Sequence, residues 1–302
     1  LSKLVKASGA FIGVPTGVVM GTATVTRTID PLVIEKIAAD AGQEILNVYN
    51  GNSPVEVITK ADNSPLTEAD CAADALITAR LQASFPDIPI LSEESTSIDY
   101  ATRRTWPRYW LVDPLDGTKE FISRNGEFTV NIALIENGDP VLGVVHVPVL
   151  GDTYSGRAGK GATKIDAQGN RQSIYSAKME PSSSSIRIVA SRNHRGEQLE
   201  QLISDITLNI GKTEVVSMGS SLKMCLVAEG LADFYPRLAP TCEWDTAAAH
   251  GVLVAAGGQI VGLDFEPLRY NQKDDLLNPD FIAIADMDFD WQPVVSRALA
   301  KP

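Results

Sequence analysis

The sequence has few of the residues that usually bind zinc, and it has no long apolar run. Its 302 residues include only three histidines and three widely separated cysteines, Cys71, Cys225 and Cys242. Zinc sites need clustered Cys or His ligands, so no zinc site is expected. Separate thiols in odd number predict reduced cysteines and a cytoplasmic location. A membrane-spanning helix takes about 20 consecutive apolar residues, so no membrane contact is expected.

Positive charge is also scarce. The chain has 26 Lys and Arg against 38 Asp and Glu, a net charge of −12. A general nucleic-acid binder needs a basic face that releases counterions from the phosphate backbone, so nucleic acid is not an expected partner. A small phosphorylated substrate stays compatible with this charge, because nearby Lys, Arg and metal ions can outweigh the negative total.

The length and the pattern of the chain predict two folded parts behind an N-terminal arm. A 302-residue chain with 44% hydrophobic residues is long for one core. The nearly uncharged segment 1–29 is expected to be an arm that packs on the body or on a partner subunit. Residues 30–180 form the expected α+β part with the acidic clusters, and the serine-rich stretch 181–185 begins an α/β part, 181–302. The pattern leaves open whether the protein is a monomer or a homodimer.

Two helices have clear end signals. Asp30 as N-cap and Pro31 at the first position predict a helix that ends at Asn50-Gly51. Thr67 predicts the start of a second helix that reaches Ser84. The other expected strands lie at 55–59, 88–91, 109–112, 127–135, 140–149, 152–155, 162–165, 186–190, 214–216, 232–235, 260–261 and 281–285, and the other expected helices at 197–210, 220–229, 243–256 and 288–299.

The most informative stretch is YWLVDPLDGTKEFI, residues 109–122. Its apolar start predicts a buried strand, which Pro114 is expected to end because proline has no N–H to donate. Asp113 and Asp116 then lie at the strand tip and in the turn. Two carboxylates across a rigid turn can bind one Mg²⁺, which prefers oxygen ligands. The alternative is that one of them simply caps a helix.

Four further acidic residues, at three places in the chain, could likewise bind a metal or have only a local structural role. Glu93 and Glu94 follow an apolar strand directly, and adjacent residues of a strand face opposite ways, so Glu93 is the better candidate to join the cluster. Asp245 lies in the first turn of an alanine-rich helix, where the helix dipole alone favours a carboxylate. Asp70 follows Thr67 as in a capping box, and it could also face the metal cluster and orient a water.

Three motifs, SEES, WLVDPLDGT and WDTAAA, occur in that order along the chain. Together they resemble the signatures of the Mg²⁺-dependent, lithium-sensitive phosphatases typified by inositol monophosphatase. The resemblance implies a layered α/β/α/β/α sandwich of the inositol monophosphatase/fructose-1,6-bisphosphatase type, two or three Mg²⁺ ions, and hydrolysis by metal-activated water. Ala249 departs from the motif, since the family usually has Gly there, and this concerns close backbone packing more than metal binding.

The resemblance also implies a role for each matched residue. It implies metal ligation by Glu93, Asp113, Asp116, Asp245 and the carbonyl of Leu115. Thr118 would hold the attacking water together with Glu93 or Asp70.

Within that family, TKEFI at 118–122, SRNH at 191–194, GSSLKMCLVAEGLADFYPR at 219–237 and LLNP at 276–279 are similar to the 3′(2′),5′-bisphosphate nucleotidases. The expected reaction is removal of the 3′-phosphate of adenosine 3′,5′-bisphosphate, or of its sulfated analogue, to give AMP. Two alternatives stay open. One is an inositol monophosphatase or related sugar phosphatase, and the other is a non-catalytic regulator that responds to metal or nucleotide.

The same segments supply candidate residues for binding a nucleoside bisphosphate. The N–H groups at the helix start formed by Gly117 and Thr118 can hold the scissile phosphate. A second phosphate would be bound by a serine pair at a helix start and by two cations, and the nucleoside by a loop histidine. These residues are Ser220, Ser221, Lys223, Arg237 and His194, and Asp245 is expected to touch the substrate as well.

Overall fold

The structure is a computed structural model that describes residues 29–51, 57–60, 65–95, 98–179, 185–190 and 196–299. Residues 1–28 of the expected arm 1–29, residues 181–184 of the serine-rich stretch and His194 lie outside these residues.

Eight helices are assigned in the described segments, and the starts of α1 and α2 follow local capping chemistry. They are α1 Pro31–Tyr49, α2 Glu68–Ser84, α3 Tyr100–Arg103, α4 Thr118–Ile122, α5 Glu197–Asn209, α6 Leu222–Ala228, α7 Glu243–Ala256 and α8 Gln292–Leu299. The Asp30 carboxylate accepts a hydrogen bond from the Leu32 N–H at 3.1 Å, so the predicted start of α1 is confirmed. Thr67 caps α2 as predicted. None of these helices combines the length and apolar character needed to span a bilayer.

The strands form three sheets in the described segments. The strands are β1 Val57–Thr59, β2 Pro65–Thr67, β3 Ile90–Ser92, β4 Arg108–Asp116, β5 Thr129–Glu136, β6 Asp139–Val147, β7 Asp152–Arg157, β8 Gly161–Ile165, β9 Arg171–Ile174, β10 Ser185–Ala190, β11 Lys212–Ser217, β12 Phe234–Arg237, β13 Gln259–Gly262 and β14 Phe281–Ile284. β3 to β9 follow one another in a seven-stranded sheet, and the five-stranded sheet has the order β11-β10-β12-β14-β13. β1 and β2 pair separately.

These elements stack in five layers. Helices α1 and α2 share a core with one face of the seven-stranded sheet. Helices α6 and α7 lie between the two large sheets, in a core to which both sheets contribute. Helices α5 and α8 cover the outer face of the five-stranded sheet. The expected α/β/α/β/α sandwich is therefore confirmed.

Two local expectations are wrong. Strand β4 does not end at Pro114, because it runs to Asp116. A bulge between Asp113 and Asp116 shifts the register against β5, so the missing proline N–H breaks no regular ladder pair. The helix expected from Ser220 starts at Leu222 instead, since Ser220 has φ +41°, a left-handed conformation that a helix cannot use.

Helix α7 touches the seven-stranded sheet at a glycine contact. A Cβ added at Gly143 on β6 would lie 1.9 Å from the Ala248 carbonyl oxygen, and one added at Gly251 would lie 2.9 Å from the Gly143 nitrogen. The absence of side chains at these two positions allows the helix backbone to rest on the strand. This contact fixes the height of α7 over the sheet.

Gly143→Ala is expected to lower the free energy of unfolding by about 3 kcal/mol, because the new methyl group meets backbone atoms that cannot yield. Urea denaturation measures this change. Gly211→Ala is the matched control, since nothing lies within 4 Å of a Cβ at that glycine, and it should change stability by less than about 0.5 kcal/mol. Equal stability of the two variants would contradict the close contact.

Candidate metal centre and substrate cleft

Three aspartates from distant parts of the chain meet where β4 ends and α7 begins. Asp113, Asp116 and Asp245 each offer a carboxylate oxygen, and these atoms lie within 4.8 Å of one another. The bulge of β4 presents the first two, and the first turn of α7 presents the third. The structure thus brings together three residues that the motifs predict to act as one group.

Backbone N–H groups fix the orientation of the two aspartates on β4. The Leu115 N–H donates to Asp113 Oδ1 at 3.0 Å. The Ser221 N–H, from the turn before α6, donates to Asp116 Oδ2 at 2.6 Å, and Asn131 Nδ2 on β5 approaches the same oxygen at 3.4 Å. Asp116 therefore joins the seven-stranded sheet to the turn that leads into α6.

Asp245 serves two purposes at once. Its Oδ2 accepts the Cys242 N–H at 2.9 Å, which caps the start of α7. The capping role and the clustering role were alternatives in the sequence, and the geometry accommodates both because a carboxylate has two oxygens. The cap also holds the carboxylate at the cleft.

Asp70 and Thr118 form a second group beside the triad. Asp70 Oδ2 accepts hydrogen bonds from the Thr67 N–H at 2.8 Å and the Thr67 hydroxyl at 2.6 Å, which completes the capping box of α2. The Thr118 hydroxyl lies 3.2 Å from Asp70 Oδ1 and 3.4 Å from the Leu115 carbonyl oxygen. Asp70, Thr118 and Leu115, which the sequence predicts to be site residues, therefore lie next to one another, and Thr67 holds Asp70 in place.

The triad carries negative charge that the described protein segments leave without an ion-pair partner. Burial, together with the neighbouring carboxylates Glu93 and Asp116, raises the pKa of Asp113 well above its usual range. Burial raises the pKa of Asp116 to about 6, and burial and Asp116 raise the pKa of Asp245 to about 8. Clustered hard oxygen donors, one buried and two half-buried, with no ion pair to Lys or Arg in the described segments, fit a divalent cation such as Mg²⁺.

Glu93 lies beside the triad but is engaged elsewhere. It follows β3 in a short 3₁₀ turn, and its Oε1 accepts a hydrogen bond from Lys60 Nζ at 2.7 Å. Lys60 Nζ also lies 2.7 Å from Glu94 Oε1. Glu93 is still close enough to raise the pKa of Asp113 and Asp245 through its charge. The Lys60 contact was not predicted, because its partners are more than thirty residues away.

A cleft opens from the triad toward two cations. Lys223 is buried, which lowers its pKa to about 8, and its Nζ donates to the Ser220 carbonyl oxygen at 2.6 Å. Arg237 donates to the carbonyl oxygens of Ala239 and Pro240, both at 3.1 Å. Within the described segments, neither Lys223 nor Arg237 forms an ion pair with a carboxylate. Both line the same cleft as Asp116 and Asp245.

The two serines before α6 have different environments. The Ser221 hydroxyl is buried and lies 2.9 Å from both Asn131 Oδ1 and Thr129 Oγ1, so it points into the protein. The Ser220 hydroxyl is also buried and has no hydrogen-bond partner among the described residues, although Ser220 lines the cleft. Gly117, with φ +96°, lies on the same wall.

Several residues around this site were not predicted to be part of it. Lys60, Asn131 and Glu127 lie outside the quoted motifs, whereas Glu120 and Gly219 lie inside two of them but were given no role. Glu127 Oε2 accepts the Gly219 N–H at 2.8 Å, and Glu120 lines the cleft beside it. The sequence could have indicated Asn131, because an antiparallel pairing of β5 with β4 places it opposite Asp113.

Comparison with known proteins shows the family of this chain. The model of the "Inositol monophosphatase family" matches residues 28–288. The chain belongs to the inositol monophosphatase family. Within it, the chain is 48% identical to the 3′(2′),5′-bisphosphate nucleotidase CysQ of Escherichia coli K12, over 82% of this chain and 96% of that protein. The CysQ nucleotidase of Aggregatibacter actinomycetemcomitans is 39% identical, over 87% and 94% of the two chains.

Solved structures give the same result. CysQ from Bacteroides thetaiotaomicron, "a bacterial member of the inositol monophosphatase family", superposes with a TM-score of 0.73 and 45% identity, covering 84% of this chain and 96% of that one. The extragenic suppressor protein SuhB from Bartonella henselae has a TM-score of 0.70 at 23% identity, covering 89% and 98%, and shows the shared fold alone.

The raised pKa values predict how stability depends on pH when no metal is bound. Asp116 and Asp245 retain protons in the folded state, at pKa values of about 6 and about 8, that the unfolded chain loses near pH 4. The free energy of unfolding in EDTA should therefore fall as pH rises from about 4 to about 8, by at most about 1.4 kcal/mol per pH unit for each group. Urea denaturation across this range measures the slope.

Asp245→Asn removes one of the titrating groups and should make this decline shallower. Asp30→Asn is the matched control, because Asp30 caps α1 far from the triad. If Asp245→Asn and the wild type show the same slope, the three carboxylates do not interact as described.

Proposed function

We propose that this protein is a Mg²⁺-dependent phosphatase that removes the 3′-phosphate of adenosine 3′,5′-bisphosphate, giving AMP and phosphate. The observation that carries the proposal is one cleft lined by the carboxylates of Asp116 and Asp245, which cluster with Asp113, and by the cations of Lys223 and Arg237. A bisphosphate has one group for each end of such a cleft. The similarity to the CysQ nucleotidases supports this substrate.

The inositol monophosphatase family is metal-dependent and generally uses Mg²⁺. Asp113, Asp116, Asp245 and the Leu115 carbonyl would hold the metal, and Glu93 would join them in place of its contact with Lys60. This set of oxygen donors suits two or three ions. Bound Mg²⁺ supplies polarisation of the phosphoryl oxygens and a lowered pKa of water at the site.

The protein itself orients the nucleophile. The Thr118 hydroxyl donates toward Asp70 Oδ1, and its own oxygen remains able to accept a hydrogen bond from a water. Asp70 is held by Thr67 through its other oxygen, so it stays in position to receive a proton. We assign Thr118 to orienting the attacking water, and Asp70 or Glu93 to accepting its proton.

The cationic end of the cleft would bind the second phosphate. Lys223 and Arg237 would contact the 5′-phosphate, and the unpaired Ser220 hydroxyl can donate to it. Gly117 lines the wall next to Asp116, where the scissile 3′-phosphate would lie, and Thr118 follows it at the start of α4. Asp245 faces the sugar between the two ends.

Ser221 and His194 differ from the other predicted substrate-binding residues. The Ser221 hydroxyl is occupied by Asn131 and Thr129, so we assign Ser221 to holding Asp116 through its N–H. His194 lies outside the described residues and stays a candidate for the nucleoside. Cys71, Cys225 and Cys242 form no disulfide with one another in the described residues, which supports our proposal of a reducing, cytoplasmic compartment.

The proposed function is tested by phosphate release from a substrate panel with and without Mg²⁺. We expect Mg²⁺-dependent hydrolysis of adenosine 3′,5′-bisphosphate, and loss of turnover by at least about a hundredfold in Asp116→Asn, because that change removes a metal ligand. Circular dichroism should show that the variant is folded.

Other outcomes of the same panel would reverse the proposal. Efficient hydrolysis of inositol monophosphate with the bisphosphate untouched would favour an inositol monophosphatase. The absence of Mg²⁺-dependent release from every substrate would favour a non-catalytic regulator.

Lys223→Ala tests the second phosphate site. It should raise KM for adenosine 3′,5′-bisphosphate about tenfold, the effect of losing one charge-assisted hydrogen bond. KM for adenosine 3′-monophosphate, which lacks the 5′-phosphate, should change little. Lys160→Ala, in the exposed turn between β7 and β8, is the control. Equal effects of Lys223→Ala on both substrates would refute the assignment.

A further inference from the structure

We propose that Asn278 is a positioning residue for Asp245, which it orients without touching the metal site. This inference rests on the metal site proposed above. Asn278 lies in the connection between β13 and β14, where Leu277 forms an isolated antiparallel bridge with Cys242. The bridge brings Asn278 against the residues that precede α7. Only 9% of its surface is exposed.

Asn278 binds the carbonyl groups on both sides of Cys242. Its backbone N–H donates to the Thr241 carbonyl oxygen at 2.8 Å. Its side-chain Nδ2 donates to the Cys242 carbonyl oxygen at 2.7 Å and lies 3.2 Å from the hydroxyl of Thr246. The two peptide units that lead into α7 are therefore held by one residue.

The first of these bonds leads directly to Asp245. The Thr241 carbonyl and the Cys242 N–H belong to the same peptide unit, and that N–H donates to Asp245 Oδ2 at 2.9 Å. A peptide whose carbonyl already accepts a hydrogen bond is a better donor, and it cannot rotate without breaking both bonds. The Asn278 backbone N–H thus strengthens this donor, and every residue but proline at this position would supply it. The Asn278 side chain, through its bonds to the Cys242 carbonyl and to the Thr241 hydroxyl at 3.2 Å, keeps Thr241 and Cys242 where the Cys242 N–H reaches the carboxylate, and this is the part that a side-chain substitution removes.

The loop that carries Asn278 is itself anchored. The Arg103 guanidinium on α3 is fully buried and donates to the Lys273 carbonyl oxygen at 3.0 Å. The Asn271 N–H lies 2.9 Å from both carboxylate oxygens of Glu243, the first residue of α7. The Leu276 carbonyl oxygen accepts the Glu243 N–H at 2.8 Å. Because these hydrogen bonds hold the loop, Asn278 has a fixed position relative to α7.

Asn278 does not line the cleft, and within the described segments it donates hydrogen bonds to residues 241, 242 and 246 rather than to the carboxylates. Its effect on the reaction must therefore pass through the Cys242 N–H and Asp245. Loss of groups that orient a metal ligand typically weakens metal binding by about 10- to 100-fold. Substrate binding at the cationic end should be unaffected.

The test compares Asn278→Ala and the more volume-conserving Asn278→Leu with the wild type, using the full chain. Titration calorimetry with Mg²⁺ alone should show a dissociation constant raised about tenfold in both variants. The Mg²⁺ concentration for half-maximal activity should rise in parallel, while KM for the bisphosphate at saturating Mg²⁺ stays within about twofold of the wild type. Leu277→Ala is the control, because its side chain is half-exposed and the loop hydrogen bonds remain.

Unchanged Mg²⁺ affinity in either folded Asn278 variant would overturn the inference, as would equal weakening in Leu277→Ala. The calorimetric result is independent of the substrate. A wild type that binds Mg²⁺ but hydrolyses no bisphosphate would refute the proposed function. The same calorimetry would still show whether Asn278 affects Mg²⁺ binding.

Discussion

The structure depends on keeping three carboxylates close together, with Asp113 buried and with Asp116 and Asp245 half-buried at the cleft. Desolvation and mutual repulsion oppose the ionised forms of Asp113, Asp116 and Asp245, which is why burial raises the pKa of each one. Their positions are held by backbone N–H donors from Leu115, Ser221 and Cys242. Such a cluster costs stability in the metal-free chain and offers a divalent cation a site of matching charge. The fold therefore holds three mutually repelling carboxylates together, and a bound metal cation would reduce that repulsion.

The layered architecture explains how distant segments supply this site. Helix α7 lies between the two large sheets and rests on β6 at Gly143, so its first turn reaches the bulged end of β4. The turn before α6 joins Asp116 to the other half of the chain. The cleft consequently has a carboxylate end on one sheet and a cationic end, Lys223 and Arg237, beside the other. A substrate with two phosphates can use both ends.

The sequence predicts the parts of the structure that local chemistry determines. Asp30 and Thr67 mark helix starts because a cap needs only nearby N–H groups, and the strand ends with their aspartates follow from short motifs. Other features depend on long-range packing. The ladder continues past Pro114 because a bulge adjusts its register against β5. The contacts of Lys60 with Glu93, and of Asn278 with the start of α7, join residues more than thirty positions apart.

The central claim is that the three aspartates together form a divalent cation site. Anomalous diffraction from crystals of the full chain grown with Mn²⁺, a close analogue of Mg²⁺, tests it most directly. We expect anomalous peaks from Mn²⁺ ions that lie roughly 2.0–2.3 Å from oxygens of Asp113, Asp116 and Asp245. An ordered triad without a peak, or Mn²⁺ bound only elsewhere, would contradict it.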